Sequence, residues 1–294
     1  MKQKGRSILL LTILLAVLTT AVWADIGPKA SVHVSFRDIG EGTCYGTLLS
    51  EQKSTGPATA YDGTGFGRPQ EFYQDRLSVE GAQAEAIWEA FQGYAAEDDF
   101  YFLQHWWTCS GDGGIHWTYY PPQTFKVLLY YPDTDTFLVS QVEERYAFDS
   151  YFEATPTLEG GLALRHNYRF GMELLSLTAR VVLTILLELG VAWLFRYREK
   201  KVLLYIGAVN VATQLGLNLV LNLVNYRSGQ MAYVLAMVPL EIVIFLVEGF
   251  LYTRGLRRLR GEGQAGHPMA YALSANALSF GLGLWLSFVI PGIF

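Results

Sequence analysis

Two glutamates, Glu241 and Glu248, lie seven residues apart in the apolar segment MAYVLAMVPLEIVIFLVEGFLY. Residues at this spacing lie on the same side of a helix, two turns from each other. A carboxylate in the hydrocarbon of a membrane costs a few kcal/mol. Such side chains are therefore expected to bind protons or hard cations, or to hydrogen-bond amides on neighbouring helices.

Other polar residues recur at similar depths in the neighbouring apolar segments. At about 1.5 Å per residue, Glu188, Asn210 and Asn276 lie about 10 to 12 Å from the basic ends of their segments. The depths predict one buried polar cluster inside a helical bundle. Its predicted members are Arg180, Glu188, Asn210, Thr213, Gln214, Glu241, Glu248, Asn276 and Ser279.

This polar cluster contains an internal repeat. The first copy reads LLEL, a basic loop and VNVATQLG, and the second reads LVEG, a basic loop and ANALSFGLG. Each copy has a glutamate before the loop and Asn-x-x-Thr or Asn-x-x-Ser after it. Since both copies start outside the cytoplasm in the topology predicted below, the repeat is parallel, about an axis along the membrane normal.

The apolar segments contain no Asp, His or Cys. A pair of intramembrane aspartates, a serine–histidine pair and a zinc site all lack the side chains they require. We therefore predict no catalytic residue, no metal site and no cofactor. An intramembrane enzyme of unfamiliar type is kept only as the third hypothesis.

Four apolar segments position these side chains, and each has about 20 residues, enough to cross the hydrocarbon as a helix. They are residues 174–195, 202–224, 231–252 and 269–291. Together they predict a four-helix transmembrane domain over residues 169–294.

The connections between these segments differ in charge. Loops 196–201 and 253–268 are strongly basic, whereas NYRSGQ between the middle segments holds one arginine. The positive-inside rule therefore places both basic loops in the cytoplasm and the C-terminus outside it.

Residues 1–24 have the order of features of a secretory signal peptide: a basic start, an apolar run and a small residue, Ala24. The alternatives are cleavage after Ala24 and retention as an uncleaved anchor. In both cases we expect a multi-pass protein of the cell membrane with residues 25–168 outside the cytoplasm. This part has 21 acidic and 8 basic side chains, a net charge of −13 against −5 for the chain. Such a charge excludes nucleic acid as a partner.

The exported residues 25–168 have the pattern of a β-sandwich with a helical insertion. SVHVSFR alternates apolar and polar side chains, and KVLLYYPDTDTFLVS predicts a hairpin. The residues after Ser78 have apolar side chains at helical spacing, which indicates a helix with Ser78 as its N-terminal cap. The predicted fold class is therefore α+β in two domains, an exported β-rich domain and a membrane bundle.

The exported domain offers two candidate sites. One aromatic-rich loop either stacks its rings on a sugar or peptide or packs them into the core; its members are His105, Trp106, Trp107, His116 and Trp117. The only cysteines, Cys44 and Cys109, either form a disulfide that contributes about 4 kcal/mol or stay as buried thiols.

Four motifs, GTCYGTLLSE, STGP, KVLLYYPDTDTF and RYAFDSYFEA, precede the four apolar segments. In this order they resemble an uncharacterised family of bacterial membrane proteins found mainly among clostridia. The resemblance covers nearly the whole chain, although Gln214-Leu215 stands where that family has Asn-Pro. It implies the architecture and no chemistry.

We predict a non-enzymatic membrane protein whose exported domain binds a ligand or partner and whose bundle anchors the domain or relays the binding. The alternative is a small proton- or cation-coupled transporter, or a subunit of one, that uses the intramembrane glutamates. Since four spans are few for a complete transporter, this alternative implies a homodimer. The expected partners are membrane lipid and an unidentified protein or small ligand at the exported domain.

Overall fold

The computed structural model describes residues 27, 29–63, 81–110, 113–168, 170–261 and 266–289. The predicted signal segment and the predicted cap Ser78 lie outside these described residues. The chain divides into two compact units, Pro28–Tyr168 and a second unit that contains Arg169–Phe294. Strands lie in the first unit and long helices in the second, which confirms the α+β class.

The described residues of the N-terminal unit form twelve strands and one helix, α1 (Gly81–Ala96). The strands are β1 (Ser31–Phe36), β2 (Tyr45–Ser50), β3 (Ser54–Thr55), β4 (Ala58–Thr59), β5 (Tyr101–Phe102), β6 (Trp107–Thr108), β7 (Gly114–Trp117), β8 (Thr124–Tyr131), β9 (Thr136–Val139), β10 (Glu143–Glu144), β11 (Asp149–Pro156) and β12 (Leu162–His166).

Two sheets carry most of these strands. The smaller sheet has the order β12-β11-β1-β7, with β1 parallel to β11 and antiparallel to β7. The larger sheet has the order β10-β8-β2-β5, with β6 also paired to β2 and β9 to β8. The predicted hairpin is the β8–β9 pair, in which Tyr131 faces Thr136.

The alternating side chains of β8 are buried on both faces of the larger sheet. Val127 and Leu129 share a buried cluster with Val34 of the smaller sheet. Leu128, which points to the opposite face, packs in a second cluster with Phe91 of α1. Because successive strand residues alternate in direction, one strand supplies both contacts. The unit therefore has three layers: sheet, sheet and helix.

The described residues of the C-terminal unit form the helices α2 (Phe170–Leu194), α3 (Lys200–Arg260) and α4 (Pro268–Val289). Helix α3 is broken at Gly229, whose φ of 81° and ψ of 175° are not helical. A side chain is unfavourable at such a positive φ, and glycine has none. We refer to residues 200–228 and 230–260 as the first and second halves of α3.

Two of the described helices, α2 and α3, are long and apolar enough to cross a membrane. The predicted segments 202–224 and 231–252 both lie in α3, so four separate membrane helices are not found. The reason is local: the connection NYRSGQ stays helical up to Gly229.

The second predicted basic loop is also shorter than expected. Helix α3 continues through the arginine-rich residues 253–260 and ends at Arg260, and α4 begins at Pro268. Arg260 forms an ion pair with Glu199, with 2.9 Å between its Nη2 and the Glu199 Oε1. Arginines in the last turn are favourable because the helix dipole is negative there.

The C-terminal unit exposes large apolar side chains and buries polar ones. The exposed apolar residues include Leu186, Leu204, Leu219, Leu246, Phe250, Leu273 and Trp285. The buried polar residues are Glu188, Asn210, Thr213, Gln214, Asn218, Glu248 and Asn276. Soluble proteins have the reverse distribution, with charged and amide side chains mostly outside.

Candidate functional site

Glu188 of α2 and Asn210 of α3 are directly hydrogen-bonded. The Asn210 Nδ2 donates to Glu188 Oε2 at 2.6 Å and to the hydroxyl oxygen of Tyr252 at 2.8 Å. The exposed fractions of Glu188 and Asn210 are 0% and 1%. Both residues are therefore in the interior of the unit and joined to the second half of α3 through Tyr252.

Glu248 accepts one hydrogen bond on each carboxyl oxygen. Thr213 Oγ1 donates to Oε1 at 2.5 Å, and Asn276 Nδ2 of α4 donates to Oε2 at 2.7 Å. Glu248 is fully buried, like Glu188. Hydrogen bonds to an ionised carboxylate are about twice as strong as neutral ones, so two donors favour the charged form.

The two glutamate–asparagine pairs have the same local geometry. Each asparagine Nδ2 also donates to the backbone carbonyl four residues before it. The hydroxyl oxygens of Thr213 and Ser279 each lie 3.1 Å from the backbone carbonyl oxygen of the asparagine three residues before them. The repeat in the sequence is therefore a repeat of hydrogen bonds. We refer to Glu188, Asn210, Thr213, Glu248, Tyr252 and Asn276 as the glutamate–asparagine network.

Tyrosines form a further repeated contact that the sequence analysis missed. Tyr205 and Tyr271 each precede the asparagine of their own repeat by five residues. The Tyr271 hydroxyl donates to the backbone oxygen of Glu188 at 3.2 Å, and the Tyr205 hydroxyl donates to that of Leu251 at 2.9 Å. Comparing the two sequence copies over a longer stretch would have identified this pair.

Three other members of the predicted cluster lie outside the network. Gln214 is buried one turn beyond Asn210, and no hydrogen bond in the described part of the chain joins its side chain to either network glutamate. Glu241 is half-buried and lines a groove of about 210 Å³ together with Asn276 and Phe245. Ser279 is half-buried and bonds only to its own helix.

Arg180 does not reach the glutamates, which corrects the predicted cluster. Its Nη1 donates to the hydroxyl of Tyr233 at 2.5 Å, and its guanidinium lies 6.0 Å from the centre of that ring. In the described part of the chain, no salt bridge joins Arg180 to Glu241. The position of a residue along a helix does not fix the direction of its side chain around the helix axis, so similar depths need not bring two side chains together.

The aromatic loop of the N-terminal unit packs mostly into the core. Trp106 and Trp117 are 7% and 3% exposed. The rings of His105 and Trp117 are stacked with centres 5.1 Å apart, and Trp107 lies 5.5 Å from Trp117. This arrangement corresponds to the second alternative from the sequence, packing into the core. His116 alone among the five is exposed, on β7.

A polar chain on the smaller sheet joins His116 to three residues that the sequence did not link. The Ser31 hydroxyl donates to Asp149 Oδ1 at 2.5 Å, so it accepts from His33 Nε2 at 3.0 Å. In a neutral His33 ring the Nδ1 atom then carries no proton, so it accepts a hydrogen bond from His116 Nδ1 at 3.0 Å. Tyr151 stacks on the His33 ring. Burial, with His116 as the next cause, lowers the pKa of His33, and Asp149 opposes this.

Cys44 and Cys109 are free thiols, both buried in the core between the sheets. Their backbones are adjacent, since the Cys109 N–H donates to the Cys44 carbonyl at 2.9 Å. Burial raises the pKa of both thiols, and the neighbouring Cys44 raises that of Cys109 further. The structure therefore contains two unpaired core thiols, which is the second of the alternatives that the sequence left open.

Within the described residues, no group of three or more His, Cys, Asp or Glu side chains is arranged to hold a metal ion. Neither a protein-family model, nor a curated protein, nor a solved structure matches this chain. The resemblance to the clostridial family therefore stays a prediction, and the functional argument depends on the geometry above.

Proposed function

We propose that this chain is a non-enzymatic multi-pass membrane protein whose exported domain, residues 25–168, binds a ligand or partner protein. The bundle of residues 169–294 anchors this domain in the cell membrane and relays its binding. The observation that carries the membrane assignment is the reversed distribution of side chains, with leucines outside and glutamates and asparagines inside. An apolar exterior is stable in contact with lipid, and polar side chains inside the bundle can form hydrogen bonds with one another.

In this proposal the chain crosses the bilayer four times, because α2, the first half of α3, the second half of α3 and α4 each cross it once. Each half of α3 has about 30 residues, about 45 Å at 1.5 Å per residue, which exceeds the hydrocarbon thickness. The ion pair between Glu199 and Arg260 supports the arrangement, since it joins the two basic connections at one end of the bundle. The positive-inside rule assigns that end to the cytoplasm.

A second candidate function, a proton- or cation-coupled transporter or a subunit of one, is favoured by one specific observation. Glu188 and Glu248 are both fully buried, and neither forms a salt bridge with a described basic residue. Intramembrane carboxylates without a basic partner commonly carry protons or coordinate ions during transport. This candidate requires a homodimer, so the mass of the detergent-solubilised protein separates it from a monomeric anchor.

Cysteine labelling in whole cells tests the membrane topology. Single cysteines at Arg198 and Arg258, on a Cys-free background, are expected to resist an impermeant maleimide until the cells are opened. A cysteine at Ser228, the matched position between the halves of α3, is expected to react in intact cells. The reverse pattern would contradict the proposed topology, and equal labelling at all three positions would contradict membrane crossing.

A further inference from the structure

Three oxygen atoms of the glutamate–asparagine network accept no hydrogen bond from the described residues. They are Glu188 Oε1, Asn210 Oδ1 and Asn276 Oδ1. Their residues are 0%, 1% and 6% exposed. Nearly all buried polar atoms in proteins have a hydrogen-bond partner, and an exception usually marks a missing donor, water or ion. Three such oxygens in one network point to a bound donor.

At the two carboxyl groups, the repeat differs in the donor to one oxygen. Thr213 of the first copy donates to Glu248 Oε1 in the second copy. Ser279 is the counterpart of Thr213, but its hydroxyl donates to the backbone of Asn276 and leaves Glu188 Oε1 bare. Glu248 therefore has a donor on each oxygen, whereas Glu188 has a donor only on Oε2.

The surroundings of Glu188 contain no compensating positive charge among the described residues. The titratable groups that act on Glu188 are Glu248 and Glu241. Those that act on the neighbouring Tyr252 and Tyr271 are acids and tyrosines, all neutral or negative: Glu188, Glu248, Tyr197, Tyr205 and Tyr271. Two neighbouring carboxylates in a low-dielectric interior disfavour double ionisation. One of the two buried glutamates is therefore expected to be neutral, and hydrogen bonding decides which one.

We infer that Glu188 is the binding site of one exchangeable proton, carried on Oε1, while Glu248 stays ionised. The acid O–H then donates to the bare amide oxygen of Asn210 or Asn276. One proton thus supplies partners for two of the three unpaired oxygens and removes one of the two buried charges. This inference deepens the second candidate function, since it names the ligand class and the residue of a coupling site, and it depends on the proposed membrane placement.

Infrared difference spectroscopy of the full-length protein in lipid nanodiscs tests the assignment. The carbonyl stretch of a protonated carboxyl is followed as the pH is raised from about 5.5, where exposed carboxyls are already ionised. A Glu241→Gln background removes the half-buried carboxyl of the groove. We expect one acid band that disappears at higher pH and is absent from Glu188→Gln. Glu248→Gln keeps the band and loses it at a lower pH, because a neighbouring negative charge is gone.

Two further variants test the role of this difference in the repeat without altering Glu188. Thr213→Val removes the donor from Glu248 Oε1 and is expected to add a second acid band. Ser279→Ala is the matched control, because its hydroxyl contacts neither glutamate, and it should leave the single band unchanged. These variants keep the inference testable even where Glu188→Gln does not fold.

Several results would overturn the inference. They are the absence of an acid band in the parent protein, loss of the band in Glu248→Gln with retention in Glu188→Gln, and no second band in Thr213→Val. Loss of the band on adding sodium chloride at constant pH would assign the site to sodium instead. Proton binding at equilibrium does not depend on the orientation of the bundle or on transport. Reversed cysteine labelling with an intact acid band would therefore contradict the topology alone, whereas the expected labelling without an acid band would contradict this inference alone.

Discussion

Asn276 Nδ2 lies 2.7 Å from Glu248 Oε2 and so repeats, in the second half of the C-terminal unit, the contact between Asn210 and Glu188. In each case the glutamate precedes a basic connection and the asparagine follows it. The two members of a pair therefore approach across a helical hairpin. The hydrogen-bond pattern of the network differs between the halves chiefly in the hydroxyl that reaches Glu248.

Replacing Glu248 by glutamine or by leucine separates hydrogen bonding from volume. Glutamine can accept from Asn276 and donate to Thr213, so we expect nearly unchanged stability and membrane yield. Leucine leaves the Asn276 amide without its carboxylate partner, and we expect a loss of about 1 to 3 kcal/mol. Thermal unfolding of the purified protein in detergent measures both. Equal stability of Glu248→Leu and the parent would contradict a structural role for this carboxylate.

The N-terminal unit is expected to fold without the C-terminal unit. Residues 28–168 expressed alone should be soluble, give a β-rich circular dichroism spectrum and melt cooperatively, because their core clusters are internal to the unit. Leu129→Ala, at a fully buried position, should lower the free energy of unfolding by about 2 to 5 kcal/mol. Leu158→Ala is the control, since Leu158 is fully exposed. Aggregation in every buffer would count against independent folding.

The isolated N-terminal unit should lose stability as the pH falls below about 6.5. Burial, then His116, lower the pKa of His33 from its ordinary value of 6.5, so the unfolded chain takes up a proton before the folded one does. The stabilisation is therefore present above pH 6.5 and is lost as the pH falls through the lowered pKa. Protonation also places an N–H of His33 against that of His116.

Melting temperatures at pH 7.5 and 5.5 measure this dependence. His33→Gln should show a smaller drop than the parent, because glutamine does not titrate. Lys53→Gln, an exposed change away from the polar chain, should show the parental drop. The same drop in His33→Gln and the parent would assign the pH dependence to other groups.

The two cysteines should resist alkylation in the folded N-terminal unit and react on unfolding. Both thiols are buried, and burial raises the pKa of each, so little of the reactive thiolate forms near pH 7. Mass spectrometry after maleimide treatment counts the modified thiols. Modification of both cysteines in urea without reductant would confirm free thiols. Modification of neither cysteine would indicate that oxidation outside the cytoplasm forms the disulfide.

The sequence alone determined the class of each unit and, except for Asn218, the polar residues that are buried in the described part of the C-terminal unit. Period-two alternation in SVHVSFR indicated a strand because successive side chains of a strand point in opposite directions. Glutamates and asparagines inside apolar segments indicated interior positions because their exposure to hydrocarbon is costly. These inferences depend only on local periodicity and transfer free energy, which any single segment expresses by itself.

Only the tertiary structure decided which side chains meet. Arg180 was predicted to belong to the polar cluster but bonds Tyr233, since depth leaves the rotation of a helix about its own axis undetermined. His33 and His116, 83 positions apart, meet because β1 pairs with β7, a register that no local pattern specifies. The difference between Glu188 and Glu248 likewise depends on one hydroxyl, that of Thr213, reaching across from the other half of α3. Contacts between distant segments depend on how complete helices and strands pack, and this packing is a property of the folded chain as a whole.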